Sequence, residues 1–135
     1  MYSNILIPIV YDPDQMPETA LEVARELRDE GAHVTLLHVI EELPGYATSY
    51  VAAEYMEQSQ KEVTARVTEV AAMIEGGRPV VIHGHSARNI LSYAEDNDVD
   101  LIIVSSHKPG VQDYFLGGTA ARVVRYAQCA VHVIR

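Results

Sequence analysis

The residues most able to do chemistry lie together at positions 105–120, in the run SSHKPGVQDYFLGGTA. An apolar stretch delivers Ser105, Ser106, His107 and Lys108, and the chain returns through Gly117, Gly118 and Thr119 into a helical pattern. Paired glycines permit close backbone approach or a positive φ. Consecutive amides at such a turn, backed by a helix start, suit an anion such as phosphate. In that reading Lys108 brings positive charge to the same group, and Thr119 either caps the helix or contacts the phosphate. A plainer reading stays open beside it: Gly117-Gly118-Thr119 only starts a helix, and Lys108 lies in solvent.

The elements that must position this segment follow from hydrophobic spacing. Residues 4–10 (NILIPIV) form a short continuous apolar run, the pattern of a strand buried on both faces. Pro13 and the Asp residues beside it break the run. A helix is expected from Pro17 and Glu18, with Ala20, Val23, Ala24 and Leu27 on one face and Gly31 as its stop. Residues 32–40 read as a second strand, followed by a loop around Pro44-Gly45. A long helix is expected over 50–74, with the stripe Val63, Val67, Val70 and Ile74, stopped by Gly76-Gly77. Residues 79–83 read as the third strand, and Ser86 as the N-cap of a helix carrying Ile90, Leu91 and Ala94. A fourth strand over 100–105, a helix with Ala120, Val123, Val124 and Ala127, and a fifth strand over 130–134 complete the chain.

Strands alternating with helices imply one α/β domain over residues 1–135, an open five-stranded parallel sheet with helices on both faces. In such a sheet a ligand binds beyond the carboxyl ends of the strands, where the strand order reverses. The loops after the first and fourth strands are therefore the places to look.

Composition narrows the function. With 135 residues there is room for one sizeable core, and 48% hydrophobic with 21% charged residues is globular rather than disordered. Ten basic against nineteen acidic residues give a net charge of −9. That argues against a nucleic-acid partner, which needs a basic face. A single cysteine, Cys129, cannot form an intramolecular disulfide and fits a reducing compartment. The start MYSNILIPIV has neither a basic segment nor a small-residue cleavage site, and no apolar run approaches membrane-spanning length. A cytoplasmic protein without membrane contact is expected.

Other candidate residues read plainly. His83 and His85 would share a strand face, but Gly84 bends the chain between them and no cysteine pair or helical carboxylate accompanies them. They read as loop histidines rather than a zinc site. His38 and His132 read as packed strand residues, and Cys129, beside Ala127, Ala130 and Val131, as a buried inert thiol. Tyr46, Tyr50 and Tyr55 fit a cap over a pocket, a partner surface or core packing. No Gly-x-Ser-x-Gly, Walker or His-Glu-x-x-His motif argues for catalysis.

Several motifs resemble one family. Ser105-x-x-Lys108, nine residues and Gly118-Thr119 keep the spacing of Gly-x-x-Gly and Gly-[Ser/Thr] in nucleotide-binding universal stress proteins. A second register is nearer: Ser106-His107-Lys108-Pro109 and Leu116-Gly117-Gly118-Thr119-Ala120 resemble the Ser-His-[Arg/Lys]-Pro and Leu-Gly-Ser-Asn-Ala of one branch, with Gly118 where Ser is usual. The start ILIPIV, Leu36-Leu37-His38-Val39, residues 84–90 (GHSARNI) and residues 125–131 (RYAQCAV) resemble further family segments in the family's order.

This resemblance implies a Rossmann-like, adenine nucleotide alpha hydrolase-like fold and a role in stress response as a dimeric regulatory or interaction module. It implies ATP or another adenine nucleotide as ligand, magnesium only as the companion of ATP, and no catalytic residue. It places Pro8, Ile9, Val10 and Val39 around adenine and ribose, and Ser105, His107, Lys108, Gly117, Gly118, Thr119 and Ala120 around the phosphates. It also implies a homodimer through the terminal strand's Val131, His132, Val133 and Ile134, an edge open to pairing. Where the family has Asp at the end of the first strand this chain has Val10, with Asp12 the nearest carboxylate. That departure keeps open a second reading, an interaction module that has lost nucleotide binding; a weak ATP hydrolase is a third, separate reading.

Overall fold

The computed structural model describes residues 1–10, 16–41, 50–106 and 117–135, with side chains from residue 53 onward in the third stretch. Strands and helices alternate as β1 (Tyr2–Pro8), α1 (Glu18–Leu27), β2 (Arg28–Ile40), α2 (Tyr50–Ala71), β3 (Gly77–His83), α3 (Ser86–Asp96), β4 (Leu101–Ser105), α4 (Gly118–Tyr126) and β5 (Ala130–Ile134). All pairings are parallel and the strand order is β3-β2-β1-β4-β5. The order therefore reverses between β1 and β4, as a doubly wound sheet requires.

Period-two alternation divides the core between the two faces. Ile5, Ile7, Val34, Leu36, Leu101 and Ile103 point to one face, under Leu21 and Ala24 of α1 and Val63, Val67 and Val70 of α2. Leu6, Leu37, Val39, Ile102 and Val104 point to the other, under Ile90 and Ala94 of α3 and Ala120 and Val123 of α4. Because both faces are covered, the strands read as unbroken apolar runs. Each fully buried Leu, Ile or Val contributes about 1.5–3 kcal/mol relative to exposure. The strand order makes β1 the central strand, and its Ile5, Leu6 and Ile7 are fully buried.

Several boundaries differ from the sequence expectation. Strand β1 stops at Pro8, so Ile9 and Val10 lie beyond it. Helix α1 ends at Leu27, capped by Arg28 in extended conformation, so Gly31 is not its stop. Gly31 has φ +77° inside β2, where the register jumps: Tyr2 and Asn4 of β1 face Arg28 and His33 of β2. The positive φ that signalled a helix C-cap serves a strand irregularity instead. Helix α2 ends at Ala71, and Ile74 joins the core from the turn that follows. A Cβ on Gly77 would meet the Ala71 carbonyl oxygen at 2.1 Å, so only glycine permits that turn.

Both expected side-chain caps move by one or two residues. The N-cap of α3 is His85, whose extended backbone turns Nδ1 back to accept the Arg88 N–H at 3.4 Å; Ser86 is the first helical residue. The N-cap of α4 is Gly117, which has no side chain to offer, and Thr119 lies inside the first turn. At the opposite end of the sheet, Asp100 accepts from the Ser3 and Asn4 amides at 2.9 and 3.0 Å and from the Ser3 hydroxyl at 3.1 Å. Burial pushes this carboxyl up, but those hydrogen bonds outweigh it and hold the group below its ordinary value. No helix among the described residues is long and apolar enough to cross a membrane.

Candidate functional site

Past the carboxyl ends of the strands, Glu41 after β2, His85, Ser86 and Ala87 at the start of α3, and Gly118, Thr119 and Arg122 of α4 line a cleft of about 260 Å³. Its α3 side is fixed by a tight turn. Gly84, at φ +142°, donates its N–H to the Ile40 carbonyl at 2.9 Å. Asn89 folds back over it, accepting the His85 N–H at 3.1 Å and donating to the His83 carbonyl at 3.4 Å. A Cβ on Gly84 would come within 2.7 Å of the Asn89 Oδ1. Glu41 is joined to this turn by its Oε1, which accepts the Ser86 hydroxyl at 3.1 Å.

The α4 side is built from backbone. Gly117 donates to the Ser106 carbonyl at 3.3 Å, and the first intrahelical bond runs from Ala121 N–H to Gly117 O at 2.9 Å. The amides of Gly118, Thr119 and Ala120 therefore precede the helical ladder and point toward the cleft end of the axis. Among the described residues, a Cβ on Gly118 would meet nothing within 4 Å, and one on Gly117 only the Ser106 carbonyl oxygen at 3.6 Å. The described residues around them thus do not require glycine, and the side left open among those residues fits the close approach of an anion. Arg122, one turn along from Thr119, adds a cation to the same face. The amino ends of two helices add positive potential.

The end of β1 is held by the neighbouring strand. Ile9 donates its N–H to the Leu37 carbonyl at 2.8 Å, and its own carbonyl lies 2.9 Å from Nδ1 of His38. A carbonyl only accepts, so His38 carries its proton on Nδ1. Beyond this clamp Val10 leaves the sheet with 82% of its surface exposed.

The structure thus brings Gly118 and Thr119 of the sequence-predicted set into the cleft, with Gly117 at its edge. Val39 and Ala120 are 8% and 3% exposed and belong to the core beneath, packed with Leu37 and Val123. Pro8 and Ile9 are half-buried at the end of β1, and Ser105 is exposed at the end of β4. His107 and Lys108, with Pro109 of the same motif, lie outside the described residues, as does Tyr46. Tyr55 is exposed, so core packing does not hold for it. Sequence reading missed Glu41, His85, Ala87 and Arg122 as site residues and gave Ser86 only a capping role. The signal for most was positional: Glu41 and His85 follow the last residues of β2 and β3 by one and two places, where ligands bind in such sheets. Cys129 is half-buried, and burial pushes its thiol up, away from the thiolate that a nucleophile needs.

The model of the universal stress protein family matches residues 1–135. The chain belongs to the universal stress protein family. Among its relatives, a universal stress protein of Methanothermobacter thermautotrophicus is 31% identical over 147 residues, covering 100% of this chain and 97% of that one. Universal stress protein A homolog 2 of Coxiella burnetii is 32% identical over 141 residues, covering 99% and 95%. A solved hypothetical protein, studied as a test case of structural genomics, superposes with TM-score 0.81 at 26% identity over 99% of this chain and 96% of its own. This universal stress protein therefore has the Rossmann-like, adenine nucleotide alpha hydrolase-like fold. Two more distant members share that fold: one from Archaeoglobus fulgidus in complex with dAMP, at 18% identity and TM-score 0.66, and one from Arabidopsis thaliana with AMP bound, at 19% and 0.65.

Proposed function

We propose that this universal stress protein binds an adenine nucleotide, ATP or a shorter one, in the cleft between the amino ends of α3 and α4, and acts in stress response through its nucleotide state. The observation that carries the reading is the Gly117-Gly118 backbone: amides ahead of the α4 ladder border a cleft that no side chain of the described residues fills, with Arg122 beside them. Relatives with dAMP, AMP and cAMP bound support an adenine nucleotide as the ligand class. In this reading Gly117, Gly118, Thr119 and Arg122 take phosphate oxygens, joined by His107 and Lys108 from the preceding loop. The ends of β1 and β4, at Pro8, Ile9, Val10 and Ser105, border the nucleoside, and Val39 and Ala120 back it from the core. Magnesium enters only as the companion of ATP. The chain works as one cytoplasmic domain of regulatory rather than catalytic role, paired as a homodimer through β5, the edge strand carrying Val131 and Val133.

Thermal melting and calorimetry with ATP, ADP, AMP and cyclic AMP test the ligand. A ligand at about 100 times its Kd stabilises by about 2.7 kcal/mol, so a saturable rise in melting temperature is expected. No rise with any of the four removes the nucleotide and leaves the second reading, an interaction module without ligand, which the exposed Val10 in place of a carboxylate favours. Sedimentation tests the dimer: a Val133→Pro variant, which loses an N–H on the open edge of β5, is expected to run as a monomer, and a monomeric parent chain sinks the pairing.

A further inference from the structure

We propose that Glu41 reads the sugar of the bound nucleotide, accepting the hydroxyls of the ribose vicinal diol, so that the site selects ribonucleotides over 2′-deoxyribonucleotides. The proposal rests on the adenine-nucleotide reading above and adds to it the sugar and the residue that recognises it. Three observations carry it. First, the position at the end of β1 where the resemblance would place a carboxylate holds Val10, which is apolar and exposed, and Asp12 lies outside the described residues. Second, Glu41 stands one residue beyond the end of β2, the strand beside β1, and lines the cleft. In doubly wound sheets with this strand order, an acidic residue some distance after the first strand bonds the ribose 2′-hydroxyl. Third, the Ser86 hydroxyl donates to Oε1 of Glu41 at 3.1 Å, which orients the carboxylate and leaves Oε2 to accept.

The chemistry of the cleft then has a direction. An ionised carboxylate is an acceptor only, with about four lone-pair sites. A vicinal diol offers it two donors and a deoxysugar one, while a phosphate offers none and is repelled. Arg122 and the α4 amides take the opposite charge preference. A nucleotide therefore lies with its phosphate toward α4 and its sugar toward Glu41 and Ser86.

Calorimetric titration of the full chain with AMP and with 2′-deoxy-AMP tests this, using the parent protein, Glu41→Gln and Glu41→Ala. Glu41 is exposed, and a melting curve for each variant checks that the fold is kept. The parent is expected to prefer AMP about tenfold, in line with loss of one hydrogen bond to a charged acceptor. Glu41→Ala is expected to bring the preference near unity, with Glu41→Gln between. Equal binding of AMP and 2′-deoxy-AMP by the parent overturns the proposal and leaves the nucleotide site standing. A preference that survives in Glu41→Ala overturns it too, by giving the selection to another residue. So does a variant that binds both nucleotides more tightly in equal measure, since Glu41 then only repels phosphate. Failure of every adenine nucleotide to bind the parent overturns both readings together.

Discussion

Replacing Gly118 by alanine separates what the fold needs from what a ligand needs. Gly118 is the first residue of α4, and a Cβ there meets nothing within 4 Å among the described residues. Alanine at an unstrained helical position stabilises by up to about 1 kcal/mol over glycine, mainly through the unfolded state. At a helix start about half of that is reasonable. With an unfolding entropy of about 2.1 cal/mol/K per residue, about 0.5 kcal/mol raises the melting temperature by about 2 °C. The same methyl stands in the space through which a phosphate oxygen reaches the Gly118 and Thr119 amides. Losing one charge-assisted hydrogen bond costs about 1.5 kcal/mol, or roughly tenfold in affinity. Gly118→Ala is therefore expected to melt slightly higher and bind AMP about tenfold more weakly, and Gly118→Leu to bind too weakly to measure while still folded. Calorimetry and thermal melting read the two effects independently. Parent-level affinity in both variants would refute the backbone cradle; a lowered melting temperature in Gly118→Ala would refute the open space itself.

Three further outcomes follow from particular contacts. Because the Asp100 carboxyl is held below its ordinary value in the folded chain, its contribution is complete above the ordinary carboxylate range and fades as pH falls through the lowered value. Asp100→Asn is expected to cost about 1 kcal/mol near neutrality, with the gap from the parent closing below about pH 4 in denaturant melts; a gap independent of pH tells against the assignment. Thr35 on β2 is 1% exposed, and its hydroxyl has no hydrogen-bond partner among the described residues. Thr35→Val keeps the shape, removes that hydroxyl and is expected to stabilise by about 1 kcal/mol, a rise of about 3–4 °C; a destabilised variant would show that the hydroxyl is satisfied in solution. His38→Ala frees the Ile9 carbonyl and is expected to lower nucleotide affinity severalfold, whereas His38→Asn, whose Nδ2 occupies nearly the place of the imidazole Nδ1, restores it. Equal affinities in the two variants would separate the clamp from the site.

Sequence patterns revealed the sheet more fully than the site. The runs around Ile5, Leu36 and Ile102 read as doubly covered strands because hydrophobic periodicity is set by burial, and burial is what a central strand has most of. Gly31 shows the limit of local signals: a helix stop and a strand irregularity make the same demand for positive φ on one residue, and here the strand makes it. The caps failed for a related reason. Ser86 and Thr119 are good capping types, yet His85 and Gly117 hold the cap positions because the turns at Gly84 and Gly117 decide where each helix begins. The cleft needed three dimensions. Glu41, Ser86 and Arg122 are far apart in sequence, and only the order of the strands makes them neighbours.

That order also has a temporal side. Central β1 has β2 on one flank and β4 on the other, and the Asp100 clasp on Asn4 spans 96 positions of chain. Contacts of such long sequence separation are closed slowly, because loop entropy is lost before they are made. On the ribosome β1 therefore waits, with Ile5, Leu6 and Ile7 unpaired on one side, until β4 has been synthesised. A chain cut before Leu101 leaves that flank of the sheet as an apolar edge, the kind that associates with other chains. The strand that ends in the binding region is thus the first made, yet it gains its second neighbour only when β4 emerges, so a stalled nascent chain has a half-built sheet and no cleft.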